Sequence, residues 1–577
     1  MAAFTGTASN DSLVGTTSPD TFDMSQGGDD TVSGLDGDDV FSFGAAFTPA
    51  DQIDGGTGND TLVLSGNYAS QTVFAPATIQ NVEAMTLVAG FDYNLKTDDQ
   101  NVAAGQRLSI DSSLMGSGDK FTFDGSAESN GFFTFFAGPG NDVLTGGNTV
   151  GGSCDFFFLQ AGGNDIANGG GGSDDFLMGG ALTAADQIDG GPGGNVMVLD
   201  GDYSAGVTFN ATTVQNISLL WLNGGHSYKL ITADSTVAAG QTLDVNFPIL
   251  SGPGITGPLG PGDSLYFDGS AETDGSFIVA GSPGNDTLIG GAGNDELYSG
   301  AFGGITGDGN GGGNDVIRGG AGDDTIFFGG NDFNAQDTVD GGPGGNDFLI
   351  LDGDFSAGLT LSSNVKNIEV VQINDNGTPT VVTTTDSLVA AGKTLRLEAT
   401  QLTSSLTFHG QAETNGNFII DGGSGNDTIR TGAGNDQLWG GAGADRLRGG
   451  AGADTYEYNT PADSTSTHYD TIVGFNAKKD KFDLNGIVDV TGVDAKIASG
   501  ALSTATFDTD LAAAVNAAHL KAQHAVLFTP TSGTLAGDTF LIIDGNGTAG
   551  YQTSQDYVMH LVNAVHLADL HASDFLF

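Results

Sequence analysis

The sequence predicts an all-β protein in which parallel β-roll blocks alternate with three β-rich, solenoid-like modules and lead into a small α+β C-terminal region. Three observations predict this. A Gly- and Asp-rich nonapeptide recurs in register, a longer module occurs three times, and helical periodicity is nearly absent before residue 500.

The nonapeptides come first. Four copies follow one another without gaps at 422–430 (GGSGNDTIR), 431–439 (TGAGNDQLW), 440–448 (GGAGADRLR) and 449–457 (GGAGADTYE). Each fits G-G-x-G-x-D-x-U-x, with U a large apolar residue. The Gly half must turn tightly, which requires positive φ and close approach of neighbouring coils. The x-U-x half is a short strand whose U side chain faces inward. Two nonapeptides make one coil, so turns on one edge recur every 18 residues, as Asp427 and Asp445 do, and Asp436 and Asp454. The sixth-position Asp is expected to aim its carboxylate into the gap between stacked turns, beside main-chain carbonyls. Paired carboxylates there repel unless a hard cation lies between them, and an all-oxygen set of this kind suits Ca²⁺. The metal is expected to stand in for a thin interior, since only one side chain in nine points inward.

Further copies keep the same register at 25–42, 160–177, 281–298 and 310–327, with single copies at 55–63 and 137–145. The candidate metal ligands are Asp30, Asp39, Asp60, Asp142, Asp165, Asp174, Asp286, Asp295, Asp315, Asp324, Asp427, Asp436, Asp445 and Asp454. Degenerate copies at 6–14 and 15–23 carry Ser9 and Ser18 in place of the fourth-position Gly. The competing reading is a solenoid of Gly-Asp turns without metal.

The modules open with D-[QT]-[IV]-D-G-G at 51–56, 186–191 and 337–342. Each passes through a Val-Ala-Ala-Gly phrase and closes at 123–128, 267–272 or 408–413, where His409 replaces the Asp of the other two copies. Apolar and polar residues alternate between the phrases, as expected of short strands. The expected organisation is a block at 1–45, modules at 46–145, 181–280 and 331–421, blocks at 146–180, 281–330 and 422–457, and a C-terminal region at 458–577. In that last region a helix is expected over 508–523, capped by Asp508 or Thr509, with Leu511, Val515, Ala518 and Ala522 as its apolar stripe. Strands are expected around 524–528, 539–543 and 557–562, with a tight Asp544-Gly545-Asn546-Gly547 turn after the second.

Composition agrees. Asp and Glu number 71 against 16 Lys and Arg, for a formal charge of −55, and only eight of the acids are Glu. Such a charge argues against nucleic acid and against anionic lipid. A merely disordered acidic chain avoids aromatics, whereas this one has 36 Phe. The single cysteine, Cys154, allows no intrachain disulfide and no thiolate zinc site, and is expected to be a buried structural thiol. No apolar run of about 18 residues is present, so no transmembrane segment is expected. The first residues lack the basic and apolar segments of a signal peptide, so no cleavable signal peptide is expected and the C-terminus is the candidate for any export address.

The sequence contains no H-E-x-x-H and no G-x-S-x-G motif. His519 and His524 are read as surface positions rather than metal ligands. Asp124/Glu128 and Asp268/Glu272 can be read as glycosidase carboxylate pairs. Their recurrence directly before a nonapeptide favours a strand-turn adaptor whose acid is solvated or faces calcium. No enzyme is expected; the alternative is a secreted polysaccharide-acting enzyme with its site in the β-modules.

The nonapeptides resemble the RTX repeats of bacterial haemolysins and serralysin-type proteases. Residues 449–484 are similar to the segment that follows the β-roll in serralysin-like proteins, and 524–577 resembles the C-terminal regions of proteobacterial surface-layer-like and RTX surface proteins. The resemblance implies Ca²⁺ as cofactor, export by type I secretion machinery through an uncleaved C-terminal signal, and an extracellular or cell-surface location. It further implies a structural role in a surface layer, biofilm matrix or adhesion, with self-association or cell-surface polysaccharide as partners.

Overall fold

The computed structural model describes residues 1–149, 154–247, 257–300, 313–330, 332–486 and 488–576; the start of the copy at 310–327 lies outside them. The chain divides into two compact units, Met1–Leu297 and Tyr298–Phe577.

In the first unit, short strands stack in parallel on two opposed faces. One face runs through Thr21–Asp23, Val40–Phe43, Thr61–Leu64, Ala84–Leu87, Arg107–Asp111, Phe132–Phe136, Phe156–Phe158 and onward to Ser276–Ala280. The other carries strands such as Tyr93–Lys96, Phe121–Asp124, Val143–Thr145 and Ile166–Asn168. Strands from nonapeptides and from modules therefore alternate within single ladders. The modules of this unit are longer coils of the same parallel stack.

Period-two alternation sends every second side chain inward. Leu62, Leu64, Met85, Leu87, Leu108, Ile110, Phe133 and Phe135 on one face, and Leu95, Phe123 and Leu144 on the other, are fully buried. The two faces meet edge to face, with Phe123 and Phe133 ring centroids 5.2 Å apart. Phe267–Phe277 at 5.0 Å and Phe408–Phe418 at 5.2 Å repeat the contact in the other two modules. Along the coils, Phe135, Phe157 and Phe176 stack at 4.9 and 4.7 Å, and most of the described phenylalanines are buried. Where a module widens the corner, a tyrosine fills it: the Tyr93 hydroxyl lies within hydrogen-bond reach of the carbonyls of Leu64 (2.9 Å) and Val88 (2.8 Å).

The second unit repeats this plan from Thr325–Phe328 to Lys481–Asp483 and Phe575–Leu576 on one face. On the other face, Thr428–Arg430, Arg446–Arg448 and Asp470–Val473 lead to Tyr557–Val562. There the sheet turns antiparallel through Thr539–Ile543 and His524–Phe528. The three expected C-terminal strands are present with the expected bounds.

The expected helix is not. Residues Phe507–Ala514 form it, half the length read from the sequence, with Thr506 rather than Asp508 or Thr509 at its N-cap. At Val515 the backbone leaves helical geometry (φ −103, ψ 58). The carbonyls of Val515 and Leu520 then accept from Tyr551 and Gly550, on the loop after the second C-terminal strand. Leu520 enters the local core in place of Ala518 and Ala522, which are exposed. Tertiary hydrogen bonds to a neighbouring loop outweigh the local helical propensity over 516–523.

One turn carries visible strain. Leu35 holds φ +78 at the second nonapeptide position, where Gly441 has φ +86. The side chain is exposed, so it contributes little burial. Leu35→Gly is expected to be more stable than Leu35→Ala by about 1 kcal/mol, read as a difference in thermal midpoint.

Candidate metal centre

The site is built from a turn that only glycine closes. In the copy at 440–448, Gly441 (φ +86) and Gly443 (φ +148) reverse the chain so that Asp445 folds back over Gly440. A Cβ on Gly440 would collide with Asp445 Oδ2. Asp445 Oδ1 accepts the backbone N–H of Asp427, 18 residues earlier, at 2.7 Å. Asp436 accepts in the same way from Phe418 (2.7 Å), and Asp454 from Asp436 (3.1 Å). Each carboxylate thus ties its own coil to the one before, and the aspartates form ladders along the turn edges.

All fourteen aspartates read from the sequence are at most 2% exposed. The ladders extend beyond them. Asp30 donates its N–H to Asp51, Asp165 to Asp186, Asp155 to Asp174, Asp315 to Asp337, Asp324 to Asp347, Asp445 to Asp470 and Asp454 to Asp480, all at 2.7–3.2 Å. Glu83 and Glu369 take the N–H of Asp60 (2.8 Å) and Asp347 (3.0 Å). Most of these rungs are hidden in the sequence because they lack the Gly half of the repeat. Asp51, Asp186, Asp337, Asp470 and Asp480 carry the other half alone, an Asp two places before an inward apolar residue. Asp51, Asp186 and Asp337 are the first residues of the module openings, which are rungs of the same ladders.

Burial penalises charge here. It pushes the carboxyls of Asp165, Asp174, Asp286, Asp445 and Asp454 up to about 7; the neighbouring carboxylates add to this for all but Asp286, and backbone N–H groups oppose it. Asp60 and Asp142 rise to about 6, again chiefly through burial. Oδ2 of Asp39, Asp60, Asp174, Asp347 and Asp445 is buried with no hydrogen-bond partner.

Those oxygens face other oxygens. A Cβ on Gly34 would collide with both Asp39 Oδ2 and the carbonyl of Gly55. The same holds at Gly55 for Asp60 Oδ2 and the Asn81 carbonyl, and at Gly341 for Asp347 Oδ2 and the Asn367 carbonyl. The second module supplies an internal control. Asn195 replaces the Asp, and its Nδ2 donates to the carbonyls of Gly191 and Asn216 at 2.9 Å each. What fits beside these carbonyls is a hydrogen-bond donor, as in Asn195, or a cation. Among the described residues no three His, Cys, Asp or Glu side chains converge on one point. A cation here takes carboxylates and main-chain carbonyls together, which suits hard, oxygen-seeking Ca²⁺ and not zinc. Bound Ca²⁺ would supply the charge that lets these buried carboxylates ionise, with the position-six aspartates and turn carbonyls as its ligands.

The other candidate acids part company. Asp124 lies half-exposed, 2.5 Å from Lys96 Nζ, while Glu128 is buried in the following turn. Cys154 is half-buried, not fully buried as expected, and burial pushes its thiol up. His524 lies 3.1 Å from Asp494.

Stacked coils whose turn edges carry buried aspartate ladders define a parallel β-roll with carboxylate- and carbonyl-lined cation cradles. A family model for the RTX calcium-binding nonapeptide repeat, in its four-copy form, matches residues 25–46, 50–66, 134–148, 278–304, 311–332 and 421–456. The chain carries RTX calcium-binding repeats. Those matches span twelve of the fourteen aspartates read from the sequence; Asp165 and Asp174 lie outside them and still form rungs. No curated protein matches the chain. No described helix is long and apolar enough to cross a membrane.

Proposed function

We propose that this chain is an extracellular, non-enzymatic RTX protein that folds on Ca²⁺ after type I secretion and serves as a structural component of a surface layer, matrix or adhesive coat. The observation that carries the reading is the set of buried aspartate ladders whose outer oxygens face main-chain carbonyls. Sites made of few carboxylates and several carbonyls belong at the weak end of Ca²⁺ affinity, about 10⁻⁴–10⁻³ M, the range of extracellular modules. Export is supported by the resemblance of 449–484 and 524–577 to the C-terminal regions of type I substrates. Within each unit, the stack of similar parallel coils favours repeated contact with a surface or with other copies.

Electron microscopy and light scattering of purified protein, with and without millimolar Ca²⁺, test the assembly arm. Ordered arrays or a sharp rise in scattering on calcium addition are expected; monodisperse particles in both conditions overturn it. Cleavage of any polysaccharide in a hydrolysis and lyase screen would overturn the non-enzymatic arm.

A further inference from the structure

Each module closes on a turn that looks, in sequence, like the end of the roll's chemistry. At the sixth place of that turn stands a buried phenylalanine, Phe133, Phe277 or Phe418, where a nonapeptide has its aspartate. The backbone treats it as a rung all the same. Phe133 donates its N–H to Asp155 (2.6 Å), Phe277 to Asp295 (2.7 Å) and Phe418 to Asp436 (2.7 Å). Five residues earlier, at the first turn position, a nonapeptide has Gly and these turns have Glu128, Glu272 and Glu413.

The glutamate does by folding forward what the aspartate does by folding back. In a nonapeptide one Asp oxygen takes the N–H of the second turn residue, as Asp295 takes that of Gly291 at 2.7 Å. Glu128 Oε1 takes the N–H of Ser129 (3.0 Å), the second residue, and those of Asn130 (3.0 Å) and Gly131 (2.8 Å). Glu272 does the same with Thr273, Asp274 and Gly275, and Glu413 with Thr414, Asn415 and Gly416, all within 2.8–3.2 Å. In all three, Oε2 is buried with no hydrogen-bond partner.

The next coil packs against the same turn. Asn148, Ala292 and Ala433 donate their N–H groups to the carbonyls of Glu128 (2.7 Å), Glu272 (3.0 Å) and Glu413 (3.0 Å), which docks the following Gly-rich turn on the glutamate. The Cβ position of Gly291 lies 2.9 Å from the Glu272 carbonyl oxygen and 3.3 Å from that of Gly269. Gly291 itself hydrogen-bonds the Asp295 carboxylate. The glutamates and the next coil's Asp155, Asp295 and Asp436 are close enough that each Glu disfavours ionisation of its Asp.

We propose that Glu128, Glu272 and Glu413 are ligands of three further Ca²⁺ sites, one at each junction between a module and the following coil, each pairing the glutamate with Asp155, Asp295 or Asp436 and turn carbonyls. The proposal rests on the calcium reading of the roll. It makes the junctions calcium-bridged seams, so that the cation holds each long coil against the tight coil that follows.

The test is the triple variant Glu128→Gln, Glu272→Gln, Glu413→Gln. Gln keeps the Oε1 acceptor for the three N–H groups and removes only the charge. Full-length protein is dialysed to equilibrium against millimolar Ca²⁺ and bound calcium is measured by atomic absorption. Three fewer ions per chain than the parent, with the same circular dichroism, are expected; an unchanged count overturns the proposal. If the triple variant does not fold, Glu413→Gln alone decides, with one ion lost or none. A parent chain that binds no calcium at all would instead overturn the reading beneath it, so the two failures are distinct.

Discussion

Calcium-free protein at pH 7.5 is expected to lose most of its β-type circular dichroism and to regain it at millimolar Ca²⁺. The physical cause is a set of carboxyls that the folded chain holds near pH 7. An ordinary Asp ionises near 3.8, whereas Asp174 and Asp445 are pushed to about 7 by burial and by the next rungs. Between those values the folded chain binds more protons than the unfolded one. Stability from these groups is therefore fully present below about pH 4 and is lost as pH rises through 7. Each such group weakens the calcium-free fold at pH 8 by up to about 4 kcal/mol, against a whole-domain stability of about 5–15 kcal/mol. Metal-free protein, prepared by dialysis, is thus expected to be more folded at pH 5 than at pH 8, and saturating Ca²⁺ is expected to flatten that dependence. A metal-free chain equally folded at both values would refute the electrostatic account.

Replacing Asp427, Asp436, Asp445 and Asp454 together gives the second large effect, and its sign depends on the replacement. Alanine removes the acceptor for a buried N–H on the preceding coil at each rung. Each orphaned donor costs about 1–3 kcal/mol, so the quadruple alanine variant is expected to unfold this block even in millimolar Ca²⁺. Asparagine keeps that acceptor and offers an NH₂ to the facing carbonyls, as Asn195 does. The quadruple asparagine variant is expected to stay folded, to bind fewer calcium ions, and to melt with less dependence on Ca²⁺. Thermal melts with and without calcium, together with bound-calcium counts, separate the two. An alanine variant that melts like the parent, or an asparagine variant with undiminished calcium uptake, would count against the site.

The fourteen aspartates were legible because repetition made them so: identical glycines around Asp445 and Asp454 leave one way for the turn to close. Asp470 and Asp480 were not legible, since each keeps only the strand half of the pattern and its turn is made by other residues. Glu128 was read as an adaptor with a solvated or calcium-facing acid; that its carboxylate replaces the sixth-position Asp from the opposite end of the turn depends on where the chain folds. The overlong helix has a similar origin. Periodicity at Leu511, Val515, Ala518 and Ala522 is a local signal, and the hydrogen bonds from Gly550 and Tyr551 that end the helix come from a segment the signal does not contain.

By itself, then, the amino-acid order determined the parallel coil, its inward apolar face and the chemistry of its turns, because all three follow from nine neighbouring residues. Only the tertiary structure decided which carboxylates stack on which, that the modules continue the same ladders, and that Asn195 stands where its counterparts carry charge. Those outcomes depend on the spacing between successive coils. That spacing changes from coil to coil, and a ladder rung exists only where two coils meet.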